Sequence, residues 1–147
     1  MGYSFRQDLS AEGCIDALKM ALHNRLYHHP LIHHSDRGSQ YCSQNYVDLL
    51  LKNNIAISMT ENGNPYENAL AERVNGIIKK EFNLYTSALG FEQTKRQVNA
   101  SILSYNQLRP HASCDYLTPH QAHLKSEQLK KRWKKYNRKF NDEKTMV

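Results

Sequence analysis

The sequence predicts an α/β protein. Amphipathic helical stretches alternate along the chain with short runs of strand-forming residues, and no internal repeat or low-complexity stretch interrupts this alternation. A length of 147 residues with 39% hydrophobic and 23% charged residues suits one globular domain with a modest core. A second full domain does not fit this length.

The first part of the chain is predicted to form a strand, a helix and a second strand. Residues 1–5 have the character of a strand, and Ser10 is placed to cap the helix that follows. Residues 31–35 form the next short strand, and Gly38 breaks the chain after it. The helix between the two strands has an apolar face made of Cys14, Ile15, Leu18, Leu22 and Leu26.

A second helix and a third strand occupy the middle of the chain. Ser43 can cap a helix that runs to Lys52, and the pair Asn53 and Asn54 stops it. Residues 55–59 alternate in apolar character, as a half-buried strand does. The loop that follows, ENGNPYEN, contains a glycine and a proline, which discourage regular structure.

Two longer helices are predicted in the remaining part of the core. The first covers about 68–85, and the second covers about 91–108 and ends at Pro110. The residues predicted to face inward are Leu70, Val74, Ile77, Ile78 and Phe82 in the first helix and Phe91, Val98, Ile102 and Tyr105 in the second.

The net charge of +6 is concentrated at the C-terminus. Residues 1–124 contain eleven Lys and Arg against eleven Asp and Glu, whereas residues 125–147 contain nine against three. The second range also spaces Leu129, Trp133, Tyr136 and Phe140 on one helical face. We therefore predict a core domain over 1–124 and a basic amphipathic helical tail over 125–147. A polyanion is the natural partner, although a solvated run of charge is an equally ordinary explanation.

Several function classes are disfavoured by composition. No segment approaches the length of a membrane span, and the N-terminal residues lack the apolar core of a signal peptide, so a cytoplasmic protein is expected. The three cysteines, Cys14, Cys42 and Cys114, include no C-x-x-C pair and are expected to be buried and reduced.

Histidines supply a competing hypothesis, a zinc site. The spacing matches no known zinc finger, and no cysteine lies nearby to complete a ligand set. The residues concerned are His28, His29, His33, His34, His120 and His123.

Two acidic residues are candidates for metal chemistry. Asp36 follows a strand at its carboxyl end, where open α/β sheets place their ligands. Glu72 lies one turn into a long helix, and Lys79 follows two turns later on the same face. Taken alone, such exposed residues are more often ordinary solvated surface.

Three sequence segments favour the catalytic interpretation of these residues over the interpretation as solvated surface. They are HSDRGSQYCSQNY at 34–46, SMTENGNPYENALAERVNGIIKKEF at 58–82 and YNQLRPHASCDYLTPHQAH at 105–123. In this order they resemble DDE transposases of the insertion-sequence-three type, within the retroviral-integrase-like superfamily. The resemblance runs from the first residue to about Leu124, and the 35 residues between Asp36 and Glu72 match the family's spacing.

The resemblance implies a ribonuclease-H-like fold, present here as a partial fold without its first two strands. It implies that Asp36 is the second catalytic aspartate, that Glu72 is the catalytic glutamate, and that both bind Mg²⁺ or Mn²⁺ in a two-ion site. The activity implied is DNA strand cleavage at transposon ends and strand transfer into target DNA. The residues implied or predicted to contact DNA are Lys79, Arg37, Asn64, Tyr66 and Arg109 in the core and Lys131, Arg132 and Lys135 in the tail.

Two of the motifs that match the family can each be interpreted in two ways. Asn68 either lines the DNA channel, as the resemblance implies, or caps the helix and forms the turn before it. The late motif that contains Asn106, Arg109 and His111 either braces the catalytic helix or touches DNA.

The family's first catalytic aspartate has no counterpart in this sequence. Asp8 and Asp16 are acidic, but their predicted elements do not reach the centre of the sheet. The chain is therefore expected to be N-terminally truncated and inactive alone. Expected partners are transposon-end and target DNA, intact transposase subunits or a separately encoded upstream half. The alternative is a non-catalytic nucleic-acid-binding remnant that modulates an intact transposase.

Overall fold

A computed structural model describes residues 1–61, 68–84, 89–125 and 129 of the chain. The chain divides into two compact units, Met1–Asn99 and Ala100–Val147. In chain order the elements are α1 (Ala11–His23), β1 (Leu31–Ser35), α2 (Gln44–Lys52), β2 (Ile55–Met59), α3 (Ala69–Glu81), α4 (Phe91–Gln107), a 3₁₀ turn (Ala112–Cys114) and α5 (Pro119–Leu124). The α/β class predicted from the sequence is confirmed.

β1 and β2 form a two-stranded parallel sheet. Leu31 pairs with Ile55 at one end of the ladder, and Ser35 pairs with Met59 at the other. Parallel strands need a crossover connection, and α2 supplies it here. Because the two strands are parallel, their carboxyl ends lie at the same edge of the sheet. Both strands have the bounds predicted from the sequence.

The core of the first unit lies where α1 and α2 pack beside β2. Leu50, at 1% exposed, is the most completely buried large side chain among the described residues. Partly buried side chains, including Cys14 and Leu22, pack against this core. Its buried members are Ile15, Leu18, Tyr46, Leu50 and Ile55.

The strand predicted over residues 1–5 is wrong. This segment has no strand assignment, because a strand exists only where a neighbour completes its hydrogen-bond ladder. Instead, the Phe5 ring stacks on the Phe91 ring with centroids 5.3 Å apart. Leu26 was also predicted to continue the apolar face of α1, but it lies beyond the end of that helix and is 53% exposed.

α3 is less buried than its sequence pattern predicts. None of its residues is buried, and Leu70, predicted to face inward, is 79% exposed. Val74 and Ile78 are half-buried. An apolar stripe is buried only where another element covers it, and the buried core of this unit is formed by α1, α2 and β2 instead.

The helix starts lie where the capping residues predicted them. Ser10, Ser43 and Asn68 occupy the N-cap positions of α1, α2 and α3, yet none of their side chains accepts a capping hydrogen bond. The hydroxyl of Ser10 donates to Asp8 Oδ1 at 2.6 Å instead. The predicted stop of α2 is also confirmed, since Asn54 adopts a left-handed φ of 54°.

The cysteines are less buried than expected. Cys14 and Cys114 are half-buried and Cys42 is exposed, and all three are free thiols. Burial raises the pKa of the Cys14 thiol. Cys14 lies on α1 and packs against the core, Cys114 lies in the 3₁₀ turn, and Cys42 lies in the turn before α2.

The second unit begins within α4 and contains the 3₁₀ turn and α5. α5 starts with a capping box, in which the Thr118 side chain accepts from the Gln121 backbone and the Gln121 side chain accepts from the Thr118 backbone. The predicted helix over 125–147 lies outside the described residues apart from Lys125 and Leu129, so its boundary and conformation stay predictions. No helix in the described ranges is long and apolar enough to cross a membrane.

Candidate active site at the carboxyl edge of the sheet

The segments that follow β1 and β2 are joined beyond the last strand residues. The Thr60 backbone N–H donates to the Ser35 carbonyl at 3.1 Å, which extends the parallel ladder by one residue. Ser35 and Thr60 are both buried, at 5% and 2% exposed. This edge of the sheet is therefore a fixed platform for the residues that come next in each segment.

Asp36 stands at the tip of β1 and is exposed. Its Oδ1 accepts a hydrogen bond from the Gly38 backbone N–H at 2.9 Å, which sets the orientation of the carboxylate. A Cβ atom at position 38 would lie 3.0 Å from that same oxygen and 2.9 Å from Gln40 Oε1. A side chain at position 38 would therefore crowd the Asp36 carboxylate and the Gln40 amide, and the ends of those two side chains would have to move.

Arg37 crosses from the first segment to the second. Its Nε donates to the Thr60 carbonyl at 2.8 Å in a partly buried hydrogen bond. The sequence analysis predicted a DNA contact for this residue. The structure shows an intramolecular partner, which is compatible with a further contact but does not require one.

The rings of His33 in β1, Tyr41 in the turn after Asp36 and Tyr46 in α2 form an aromatic cluster. The Tyr46 hydroxyl and His33 Nε2 are hydrogen-bonded at 2.9 Å, and the rings of Tyr41 and Tyr46 meet edge to face at 5.6 Å. Burial raises the pKa of Tyr46 to about 12 and lowers the pKa of His33. Sequence reasoning missed this cluster, because the three residues lie on different elements and form no local motif.

Glu72 lies in the first turn of α3 and is exposed. A carboxylate at this position interacts favourably with the positive end of the helix dipole. Lys79 is exposed in the last turn of the same helix. Glu72 and Lys79 therefore lie on one helix, as predicted. Asn64 and Tyr66, predicted to contact DNA from the preceding loop, lie outside the described residues, as do Lys131, Arg132 and Lys135.

The donor chemistry of Asp36 and Glu72 fits a hard divalent cation, since Mg²⁺ and Mn²⁺ prefer carboxylate oxygens. Across the described ranges, however, no group of three or more His, Cys, Asp or Glu side chains is close enough to hold a metal ion. The residues therefore fit such an ion in donor type, but the described part of the chain does not complete a three-ligand set.

The same observation bears on the zinc hypothesis, because all six of its histidines lie in the described ranges. They form no such ligand group. Two of them have other partners: His33 bonds to Tyr46, and His34 Nδ1 lies 2.9 Å from the Ser58 hydroxyl. A zinc site among these histidines is not supported.

Arg109 forms a compact local arrangement in the second unit. Its guanidinium carbon lies 5.9 Å from the centre of the Tyr105 ring, and its Nη1 lies 3.2 Å from His111 Nδ1. The Tyr105 and His111 rings meet edge to face at 4.7 Å. The late sequence motif is thus folded back on α4, and its bracing of the helix that carries Glu72 or its contact with DNA stays a prediction.

A cavity of about 530 Å³ lies elsewhere in the first unit, between the N-terminal segment, α1 and the start of α4. Phe5, Arg6 and Phe91 are among its lining residues, whereas Asp36 and Glu72 are not. Both candidate metal-binding carboxylates are exposed and lie outside this cavity.

The described fold combines a parallel sheet that has Asp36 at its carboxyl edge with a later helix that has Glu72 in its first turn. Catalytic cores of retroviral integrases are among the solved structures that resemble this chain. The HTLV-2 integrase catalytic core domain in complex with magnesium matches with a TM-score of 0.63 and 25% identity, over 83% of this chain and 75% of that one. The catalytic core domain of BIV integrase matches with a TM-score of 0.62 at 17% identity, over 81% of this chain and 74% of that one, and shows likeness of fold alone.

Sequence comparisons narrow the class. Two family models described as integrase core domain match residues 1–65 and 53–119. The transposase InsF for insertion sequence IS3A of Escherichia coli (strain K12) is 34% identical over 127 residues, 86% of this chain and 44% of the relative. An uncharacterized 31 kDa protein of insertion element IS600 from Shigella sonnei is 32% identical over 123 residues, 80% of this chain and 43% of the relative.

The chain belongs to the integrase core domain family and, within it, to the DDE transposases of the insertion-sequence-three type. The resemblance identified from the three sequence segments is thereby confirmed, and so is the partial integrase-like fold. The chain spans less than half the length of these two relatives.

Proposed function

We propose that this chain forms part of the catalytic core of a DNA transposase, in which Asp36 and Glu72 hold Mg²⁺ or Mn²⁺ against a DNA phosphate. The observation that carries the proposal is that Asp36 stands at the carboxyl edge of the parallel sheet, directly after β1, and that Glu72 lies in the first turn of α3, with both carboxylates exposed. This edge is where α/β sheets bind their ligands.

The chemistry follows from the residue types. A divalent cation, when bound, stabilises the attacking and leaving oxygens of an in-line displacement at phosphorus. Asp36 and Glu72 supply hard oxygen ligands for it, and Lys79 offers a cation for a neighbouring phosphate from the same helix as Glu72. The DNA substrates proposed are the transposon ends and the target.

Two carboxylates are fewer than the three that this family uses. Because the described residues form no three-ligand group, we propose that strand cleavage requires a further acidic ligand from outside them. An intact transposase subunit or a separately encoded upstream half would supply it. The proposed location is the bacterial cytoplasm, on the nucleoid when the protein is bound to DNA.

A second candidate function is non-catalytic DNA binding that modulates an intact transposase. It is favoured by the incomplete ligand group and by the excess of basic residues over 125–147, which contains Lys131, Arg132 and Lys135. Binding of this kind depends on phosphate contacts and weakens steeply as salt concentration rises.

The metal site is tested by titrating the chain with Mn²⁺ and following the free ion by electron paramagnetic resonance. We expect Asp36→Asn and Glu72→Gln each to weaken binding at least about tenfold, since each removes one of two ligands. Glu92→Gln is the matched control, because Glu92 is likewise an exposed glutamate in the first turn of a helix. Equal affinities in all four proteins would reject the site.

The two functions are separated by a nicking assay on labelled transposon-end DNA with Mn²⁺. We expect no nicking by the chain alone, and nicking after a transposase segment that carries the family's first catalytic aspartate is added. That nicking should be lost in Glu72→Gln and retained in Glu92→Gln. Salt-sensitive DNA binding without nicking in either condition would favour the non-catalytic function.

A further inference from the structure

We infer that Arg37 is a positioning residue, whose guanidinium ties the segment that carries Asp36 to the segment that leads to α3 and Glu72. The inference rests on the proposed function, because it concerns the placement of Asp36, one of the two proposed metal ligands. It assigns Arg37 to holding the site together rather than to contact with DNA.

The first argument is that both backbone polar groups of Thr60 are hydrogen-bonded to the Asp36 segment. Its N–H donates to the Ser35 carbonyl at 3.1 Å, and its C=O accepts from Arg37 Nε at 2.8 Å. Thr60 itself is 2% exposed. Ser35 and Arg37, the residues on either side of Asp36 in the sequence, are therefore both hydrogen-bonded to the buried Thr60.

The second argument is the chemistry of arginine. Nε belongs to a rigid planar group, so its hydrogen bond fixes the direction in which the side chain leaves the segment. The donor is charged, and charge-assisted hydrogen bonds are shorter and stronger than neutral ones. Lysine has a rotatable ammonium group and no equivalent of Nε, so it does not reproduce this attachment.

The third argument is what the attachment controls. The ladder between β1 and β2 ends at Ser35 and Met59, one residue before Asp36 and Thr60. The hydrogen bond from the Thr60 N–H to the Ser35 carbonyl adds one more backbone link, before the chain reaches Asp36. The contact from Arg37 to Thr60 extends the connection past Asp36, and groups that orient metal ligands from outside the ligand set typically contribute tenfold or more to metal affinity.

Charge and position predict effects of opposite sign, which makes the inference testable. Arg37 is adjacent in sequence to a carboxylate, so removing its positive charge favours the approach of a divalent cation. If Arg37 acts only through its charge, Arg37→Gln therefore tightens metal binding. If it positions the Asp36 segment, the same substitution weakens metal binding.

Arg73 provides a matched control. It follows Glu72 in sequence just as Arg37 follows Asp36, and both arginines are exposed. Arg73→Gln removes the same charge beside the other carboxylate. Only Arg37 makes the cross-segment hydrogen bond to Thr60.

The experiment measures Mn²⁺ affinity by electron paramagnetic resonance in the wild type, Arg37→Gln, Arg37→Lys and Arg73→Gln. We expect about tenfold weaker binding in Arg37→Gln, nearly the same loss in Arg37→Lys, and unchanged or slightly tighter binding in Arg73→Gln. Hydrogen exchange at the Thr60 amide should be several-fold faster in both Arg37 variants. Exchange at Leu50, in the core, should be unchanged and serves as the check that the variants are folded.

Three results would overturn the inference. Mn²⁺ affinity in Arg37→Gln equal to or tighter than that of the wild type removes the positioning role. A lower DNA affinity, with a salt slope smaller by about one and unchanged Mn²⁺ affinity, assigns Arg37 to a phosphate contact instead. A wild-type chain that binds no Mn²⁺ rejects the metal site of the proposed function and the inference with it.

Discussion

Asp36 and Glu72 lie on segments that the chain holds in different ways. The segment after β1 is fixed by a glycine turn, by the Arg37 contact to Thr60 and by a ladder bond to Ser35. α3, which carries Glu72, has no buried residue. The difference indicates that the described fold positions one carboxylate firmly, whereas the placement of the other depends on what covers α3.

Leucine truncation on the two sides of this comparison should give the largest difference. Leu50→Ala on α2 is expected to lower the free energy of unfolding by about 2–5 kcal/mol, because it opens a cavity at a side chain that is 1% exposed. Leu70→Ala on α3, at 79% exposed, should change it by less than about 0.5 kcal/mol. Urea denaturation measures both. Similar losses in the two variants would show that α3 is packed in solution.

The aromatic cluster of His33, Tyr41 and Tyr46 should make the free energy of unfolding fall as pH rises in the alkaline range. Burial raises the pKa of Tyr46 to about 12, whereas an unfolded tyrosine titrates near pH 10. The stabilising contribution of the Tyr46 phenol is therefore complete below about pH 10 and is lost as pH rises towards about 12. Tyr46→Phe should remove this part of the pH dependence.

At neutral pH, Tyr46→Phe should cost about 1–2 kcal/mol, because His33 Nε2 loses its hydrogen-bond partner. Urea midpoints measured from pH 7 to pH 12 test both statements. Tyr27→Phe is the control, since Tyr27 is 39% exposed. An unchanged alkaline decrease in Tyr46→Phe would show that Tyr46 does not cause it.

Glycine substitutions should give the smallest effects, with opposite signs in the two regions. A Cβ at Gly38 would lie 3.0 Å from Asp36 Oδ1, so Gly38→Ala should destabilise the chain by about 1 kcal/mol and displace the carboxylate. A Cβ at Gly76 on α3 would meet nothing within 4 Å. Gly76→Ala should therefore stabilise the chain by about 0.5–1 kcal/mol through helix propensity.

Thermal unfolding of both glycine variants, followed by circular dichroism, provides the measurement. A stabilised Gly38→Ala would mean that the turn around Asp36 accommodates a methyl group. A destabilised Gly76→Ala would mean that another surface lies against α3.

Most of the secondary structure could be predicted, because it follows from local patterns. The bounds of β1 and β2 agree with the apolar runs at 31–35 and 55–59, and the stop of α2 at Asn53 and Asn54 agrees with their known tolerance of left-handed geometry. Residues 1–5 could not be assigned correctly, because a strand depends on a partner that no local pattern reveals.

The candidate site was predictable in its residues but not in its contacts. Sequence placed Asp36 at a strand tip and Glu72 in the first turn of a helix, and both lie there. It assigned Arg37 to DNA, whereas the structure adds the contact to Thr60, 23 residues away along the chain. A side chain's nearest partner across elements is set by packing, which spacing within a motif does not encode.

The sequence by itself determined the α/β class, the family and the two candidate carboxylates, because periodicity and motif order are properties of the chain. Only the tertiary structure decided that Thr60 is held at both its N–H and its C=O, that His33 and Tyr46 share a hydrogen bond, and that α3 remains largely uncovered. These features depend on which elements meet in space, and burial and hydrogen-bond pairing arise only from that meeting.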